Sequence, residues 1–409
     1  LGLTPRENLD MDLTLRYSYA ISDIDNCGGA GCDDPNHRNY TKQLFLRAQA
    51  RLILFDDIWE QKLGFSLSDH RRDDNNDTDA AHPNDLLRSY FDSRFFKFDW
   101  QHDLHLHETN TLILGFQTEE DQGKSNFYSE SAFGPFESRF DKKTARTSGY
   151  YLQDKISIKD FNATLGARLD EHSIFGSAPT YRIGLAYFFK DAGVRIKSTY
   201  GTGFKAPSLF QLFSSFGEKN LSPEKSTGLD IGLEKNLWQD KLVLGATYFS
   251  NRFENLIDFD SVASKYRNIG EAESNGVELF VTAMPYDDLS IKGNYTFTET
   301  EDKSTGRALL RRARDKYGLD LIYRFLAKGD VNLGIVYVGK RDDRDFSTFP
   351  AQPVELDAYT LVNLAVAYDI SKNIKAFVRA DNIFDEDYEE VKGYGTYGIS
   401  AFGGIKVSF

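Results

Sequence analysis

No apolar run in this chain approaches the roughly 18 residues that a membrane-spanning helix requires, although 40% of its 409 residues are hydrophobic. Helical membrane spans are thereby excluded. A membrane barrel is not, because only every second residue of its strands faces lipid. Positive charge is also scarce: 49 Lys and Arg against 62 Asp and Glu leave a formal net charge of -13. A nucleic-acid partner would want a basic stripe, so that class is excluded. Acidic loops facing a surface rich in divalent cations fit the balance, as does plain solubility. Cysteine is nearly absent, and the two present, Cys27 and Cys32, flank Gly28-Gly29-Ala30-Gly31. Such spacing suits a local disulfide in an oxidising compartment, with two free thiols as the alternative. A zinc site would need two further ligands that no second Cys pair supplies. No phosphate-cradling glycine loop exists, Gly201-Thr202-Gly203 being too short, and no nucleophile, base and acid set is found. No enzyme is expected and no catalytic residue is assigned. No signal peptide precedes Leu1, as expected of a mature or truncated chain.

What the chain has in quantity is Phe (32) and Tyr (22), residues that favour strands and collect at membrane–water interfaces of barrels. Period-2 alternation dominates. Ile291, Gly293, Tyr295 and Phe297 fall on one face, Lys292, Asn294, Thr296 and Thr298 on the other. Val194, Ile196 and Tyr200 likewise oppose Arg195, Lys197 and Thr199. The charged face needs water, in a lumen or in solvent. The pattern predicts about eighteen strands, an even number of the kind bacterial membrane barrels use. The expected spans are 9–19, 41–55, 59–70, 88–103, 107–119, 146–159, 162–173, 180–189, 193–203, 225–237, 240–252, 273–284, 288–300, 310–326, 330–341, 359–370, 373–384 and 398–409. Short turns such as Asp56-Asp57-Ile58 and Gln239-Asp240 alternate with long polar stretches at 20–40, 71–87, 120–145, 204–224, 342–358 and 385–397. Short turns at one end and long loops at the other mark periplasm and exterior. The fold class predicted is therefore all-β, a transmembrane antiparallel barrel, as one domain over 1–409. The strand at 9–19 runs outward and the last runs inward to Phe409, a terminal aromatic of the kind that barrel-assembly machinery recognises.

Three segments give the chain a family likeness. Tyr200-Gly201-Thr202-Gly203-Phe204-Lys205-Ala206-Pro207-Ser208-Leu209 is followed by Asn220-Leu221-Ser222-Pro223-Glu224-Lys225-Ser226. Next comes Asn268-Ile269-Gly270-Glu271-Ala272 with Gly276-Val277-Glu278, and then Asp381-Asn382-Ile383-Phe384-Asp385-Glu386-Asp387-Tyr388. In this order they resemble TonB-dependent receptors. Leu309-Leu310-Arg311-Arg312-Ala313-Arg314, Leu256-Ile257-Asp258-Phe259-Asp260 and Tyr388-Glu389-Glu390-Val391-Lys392-Gly393-Tyr394 are similar to the cobalamin receptors among them. The likeness is close from about residue 145 onward and fainter before. It implies an outer-membrane barrel, within lipid and lipopolysaccharide, that takes up cobalamin or a related corrinoid with energy from TonB. The family's plug domain, TonB box and first strands of about twenty-two are not seen, so the chain resembles the last eighteen strands and is expected to be a fragment. A ferric-siderophore or haem receptor and a passive porin-like barrel are the alternatives. No His lies within 204–224, where haem receptors of the family commonly place an axial ligand.

Ligand contacts are expected from outer-loop aromatics: Phe213, Phe216, Tyr266 and Tyr394, large rings with apolar area and, in Tyr, a polar edge. An interfacial girdle is the other role open to them. Carboxylates crowd two outer loops, at Asp23, Asp25, Asp33 and Asp34 and again at 73–79. Such loops can supply calcium's six to eight oxygens or form a solvated acidic surface. The resemblance implies calcium, with Asp25 and Asp33 best placed as ligands. His102, His105 and His107 cluster at a short turn and read as polar turn residues or a metal site.

Overall fold

The computed structural model describes residues 1–24, 34–260, 263–347 and 350–408. Its strands begin with β1 (Gly2–Arg6), β2 (Leu9–Asp23), β3 (Arg38–Leu54), β4 (Trp59–Asn76), β5 (Leu86–His107), β6 (Asn110–Ser131), β7 (Gly134–Ile158), β8 (Phe161–His172), β9 (Gly176–Phe189) and β10 (Val194–Lys205). A five-residue helix, α1 (Leu209–Phe213), is the one helix among the described residues. Then follow β11 (Glu224–Leu237), β12 (Leu242–Asp260), β13 (Lys265–Tyr286), β14 (Leu289–Asp302), β15 (Asp315–Phe325), β16 (Gly329–Val338), β17 (Arg341–Asp345), β18 (Gln352–Leu356), β19 (Tyr359–Ser371), β20 (Ile374–Asp381) and β21 (Ser400–Val407). Nineteen of them form one antiparallel sheet of up-and-down neighbours, and β17 with β18 makes a separate hairpin. No described helix is long and apolar enough to cross a membrane.

The register sorts the two faces as alternation predicts. Leu63 of β4 pairs with Trp100 of β5, which pairs with Phe116 of β6, which pairs with Tyr150 of β7. Leu63, Trp100 and Tyr150 are each more than a third exposed; this is the lipid side. One residue along, the other face carries charge. Arg47 grips Asp99 with bonds of 2.7 and 3.0 Å, Arg51 grips Glu60 at 2.8 and 2.9 Å, and Lys62 Nζ donates to Asp103 at 2.7 Å. Ionised groups on this scale require a wet lumen. Gly64 sits under the first pair. A Cβ there would stand 2.1 Å from Asp99 Oδ2, so the missing side chain leaves room for the pair.

The sheet curls. The segment after β10 places Leu209 of α1 against Gly123 of β6, and Ser215 N donates to Ser138 Oγ of β7 at 3.4 Å. A contact with strands three and four places away requires the concave side to face α1. Short turns close the inner end, several through left-handed backbone: Phe55, Asp56 and Asp57, then Trp238, Gln239 and Asp240, all have φ between 51° and 69°.

The expected loops at the outer end are corrected by the ladder. Residues 120–145 are mostly strand: β6 and β7 pair as far as Ser131↔Gly134, leaving a turn at 132–133. Likewise β4 reaches Asn76, and β12 and β13 extend through Asp260↔Lys265. At about 3.3 Å per residue, the 25 residues of β7 span roughly 80 Å, far beyond a bilayer. Above the lipid both faces meet water, so apolar alternation disappears, yet the backbone still satisfies its N–H and C=O groups in the ladder. The same reasoning explains β17 and β18, found where 342–358 reads as a loop. β1 was also not expected, so the sheet has nineteen strands rather than eighteen. Phe409 lies outside the described residues.

Candidate ligand-binding mouth

The segment after β10 is folded by its own sequence. Ser208 caps α1: its Oγ accepts from Gln211 N at 3.2 Å, and Gln211 Oε1 accepts from Ser208 N at 2.9 Å. This reciprocal box satisfies two donors at the helix start. Leu212 anchors the turn at 2% exposed. The chain then passes Phe216, whose carbonyl accepts Tyr266 N at 2.9 Å. Asn268 pins the return, its Oδ1 accepting Ser222 N at 2.8 Å and its Nδ2 donating to the carbonyls of Ser222 (2.9 Å) and Asn255 (2.7 Å).

These pins assemble a chain of rings. Phe91 of β5 meets Phe140 of β7 edge-on at 6.3 Å, and Phe140 meets Phe210 of α1 at 6.4 Å. Phe210 meets Tyr266 at 6.1 Å, Tyr266 meets Phe259 at 5.5 Å, Phe259 meets Phe216 at 5.6 Å, and Phe216 stacks on Phe136 at 5.7 Å. Edge-to-face and offset pairs at these separations are favourable. Beside the rings opens a cavity of about 640 Å³, whose lining includes Phe91, Phe204 and Phe210 together with Glu119, Asp121, Arg168, Asp170 and His172. Arg168 holds Asp170, 3% exposed, through two bonds of 2.7 and 2.5 Å. Apolar rings lining a cavity together with a few polar groups are the usual make-up of a small-molecule site.

Of the expected ligand residues, Phe216 and Tyr266 are brought together. Phe213 is near but outside the ring chain, with Lys143 Nζ 5.3 Å over its face. Tyr394 stands apart in the last outer loop, 49% exposed. Phe91, Phe136, Phe140, Phe210 and Phe259 were not expected. One signal was available: Phe136 and Phe140 are an even number of residues apart and so share a strand face.

The last outer loops form a second cluster. Asp343 of β17, 1% exposed, accepts from Arg311 Nε at 2.8 Å and from Lys392 N at 2.8 Å. Burial pushes its carboxyl up, but the N–H groups of Lys392 and Arg344 and the Arg311 guanidinium outweigh this and hold it below the usual carboxylate range. Arg341 beside it reaches the carbonyls of Asp357 and Glu389. Asn382 pins the following loop, its Oδ1 accepting Glu386 N and its Nδ2 donating to Glu386 O, both at 2.9 Å. The family-like motifs are thus largely the residues that fasten the outer loops.

The proposed calcium ligands Asp25 and Asp33, and Cys27 and Cys32, lie outside the described residues. Among the described residues, Asp34, Asp79 and His82 place ligand atoms within 4.8 Å of one another. The three turn histidines do not converge: His102 accepts from Trp59 Nε1, His105 pairs with Thr111 and His107 with Thr109.

Comparison with known proteins agrees with this architecture. A family model described as TonB dependent receptor-like, β-barrel, matches residues 3–383. The vitamin B12 transporter BtuB of Vibrio cholerae is 35% identical over 237 residues, covering 56% of this chain and 36% of the relative. The chain thus aligns with little more than a third of that protein's length. Among solved structures, the siderophore receptor PirA from Acinetobacter baumannii superposes with a TM-score of 0.80 at 17% identity, covering 100% of this chain and 69% of that one. The ferripyoverdine receptor of Pseudomonas aeruginosa gives 0.81 at 14%, covering 100% and 64%. At such identities the two structures speak to fold alone.

Proposed function

Because the chain belongs to the TonB-dependent receptor β-barrel family, whose members are receptors and transporters of the outer membrane, we propose that it forms the wall and ligand-catching mouth of an importer for cobalamin or a related corrinoid. The sequence likeness to a vitamin B12 transporter carries the choice of ligand. The ring chain supports it: a broad macrocycle fringed with amides suits a cavity lined by aromatic rings and polar groups together. Phe216 and Tyr266 contact the ligand, Phe213 and Tyr394 flank it, and TonB supplies energy through a plug domain outside these 409 residues. Calcium at Asp25 and Asp33, with a Cys27–Cys32 disulfide, stiffens loop 20–40 and lowers the ordering cost at binding. Affinity that is unchanged in a chelator removes the calcium part of this reading.

Equilibrium binding to the full-length protein in detergent tests the ligand. Cyanocobalamin is expected to bind more tightly than ferric siderophores or haem. Phe216→Ala and Tyr266→Ala are each expected to weaken it about tenfold, the equivalent of roughly 1.4 kcal/mol. Tighter binding of a ferric siderophore or haem overturns the corrinoid assignment and leaves the family standing.

A further inference from the structure

The cavity beside the ring chain holds polar groups to which the corrinoid reading gives no separate task. Asp121 of β6 pairs with Ala145 of β7, and two residues along β7 Thr147 pairs with His172 of β8. All four line the cavity, as do Leu209 and Phe210 of α1, so they share the concave face of the sheet. Asp121 and His172 therefore flank one patch two strand spacings wide, roughly 9.5 Å. Only the small side chains of Ala145 and Thr147 stand on the strand between them.

Each flanking group lacks a partner. His172 is 7% exposed, and its Nδ1 accepts Ile174 N at 3.2 Å. With Nδ1 used as an acceptor, the ring keeps its proton on Nε2, and that N–H donates to nothing among the described residues. Asp121 makes no hydrogen bond or ion pair among the described residues, and the one charged group acting on it is Glu119, a like charge. Asp170, by contrast, has both oxygens engaged by the Arg168 guanidinium. The patch thus presents an N–H donor on β8, an acceptor on β6, and a surplus of negative charge: Glu119, Asp121 and Asp170 against Arg168.

We infer, resting on the corrinoid reading above, that this patch receives a primary amide of the ligand and rejects a carboxylate in its place, so that the receptor selects fully amidated corrinoids. An ammonium would suit Asp121 but has no lone pair for the His172 N–H. A carboxylate would accept from His172 but meets the charges of Asp121 and Glu119, and like charges brought together at an interface are strongly disfavoured. A hydroxyl puts donor and acceptor on one oxygen, too compact to reach across two strands. A primary amide carries them on two atoms: its C=O accepts from His172 while its NH2 donates to Asp121.

Competition binding to the full-length protein in detergent tests it, with cyanocobalamin against its monocarboxylic acids, each with one peripheral amide hydrolysed. At least one monoacid should bind about tenfold or more weakly than cyanocobalamin. In Asp121→Asn, which keeps an acceptor and removes the charge, that penalty should shrink several-fold while cyanocobalamin affinity stays within about threefold of the parent. Glu119→Gln should lower the penalty in the same direction and serves if Asp121→Asn does not fold, folding being checked by heat-modifiable gel mobility. Glu120→Gln removes a charge from the opposite face of β6 and should leave the penalty unchanged. His172→Phe keeps a ring to stack on Phe175 but has no donor, and should weaken cyanocobalamin about tenfold. Equal affinity for every monoacid, a penalty that persists without the Asp121 and Glu119 charges, or a cyanocobalamin affinity indifferent to His172 each overturns the amide assignment and leaves the corrinoid reading standing. Failure of cyanocobalamin to bind the parent overturns both.

Discussion

The membrane belt and the outer mouth are built on the same nineteen strands under different rules, the mouth adding α1 and the β17–β18 hairpin. In the belt, lipid on one side and water on the other dictate every residue's partner, so Leu63, Trp100 and Tyr150 line up outward while Arg47, Arg51 and Lys62 find carboxylates inward. In the mouth, water reaches both faces, alternation stops mattering, and position is set by single polar side chains: Ser208, Asn268, Asp343 and Asn382. The belt is fixed by many weak, redundant choices and the mouth by a few strong, non-redundant ones. Single substitutions should therefore damage the mouth locally and spare the belt.

The sharpest test is Asp343→Ala. It strips the partner from Arg311 and orphans the amide of Lys392, groups that Asp343 serves from a fully buried position. Breaking a buried pair costs about 3–5 kcal/mol. Arg311 is 37% exposed, so the lower end, about 3 kcal/mol, is expected. Hydrogen exchange should rise in 311–314, 339–358 and 385–399 while the belt amides and the heat-modifiable gel shift stay as they were. The same contact carries a pH signature. A carboxyl whose folded pKa lies below its unfolded value contributes stability that is complete above the unfolded value, about 3.9, and is lost as pH falls through the folded one. Acid below about pH 4 should loosen these loops first, and Asp343→Asn should abolish that dependence. Loss of the belt together with the loops would mean that the two regions are not separable.

Gly276→Ala probes the border between them. A Cβ at Gly276 of β13 would stand 2.1 Å from the Phe297 carbonyl and 2.5 Å from the Phe249 ring. The first obstacle is backbone, which cannot rotate away, so overpacking of about 1–3 kcal/mol is expected. A shift in the unfolding midpoint of the whole barrel should report it, in contrast to the confined effect at Asp343. If the change stays confined to 270–302, the border lies lower than the ladder suggests.

This contrast also explains what the sequence makes legible. Strand positions in the belt follow from alternation alone, and most expected spans agree with the observed ones to within a few residues. The outer extensions of β6 and β7 escape notice because charged residues on both faces read as loop. The ring chain is half visible for the same reason. Phe216 and Tyr266 stand in segments that read as ligand-contacting loop, whereas Phe136 and Phe140 lie in polar strand that reads as loop, with their even spacing as its one periodic signal. Asp34 and His82 come together only through the end of β4, a distance in sequence that no local pattern bridges.

The smallest effect belongs to Ser208→Ala. The serine closes a capping box on a helix of five residues, and removing an N-cap costs about 1 kcal/mol. In the belt a loss of that size would be absorbed. Here it falls on the one element that carries Phe210 and leads into Phe216, so it should appear as faster exchange at 208–218. It should also appear as a several-fold weaker ligand affinity, with barrel stability unchanged. Ser208→Asp, which also caps, should restore both. An affinity that follows global stability instead of local exchange would show that the rings are held by the barrel wall and not by the cap.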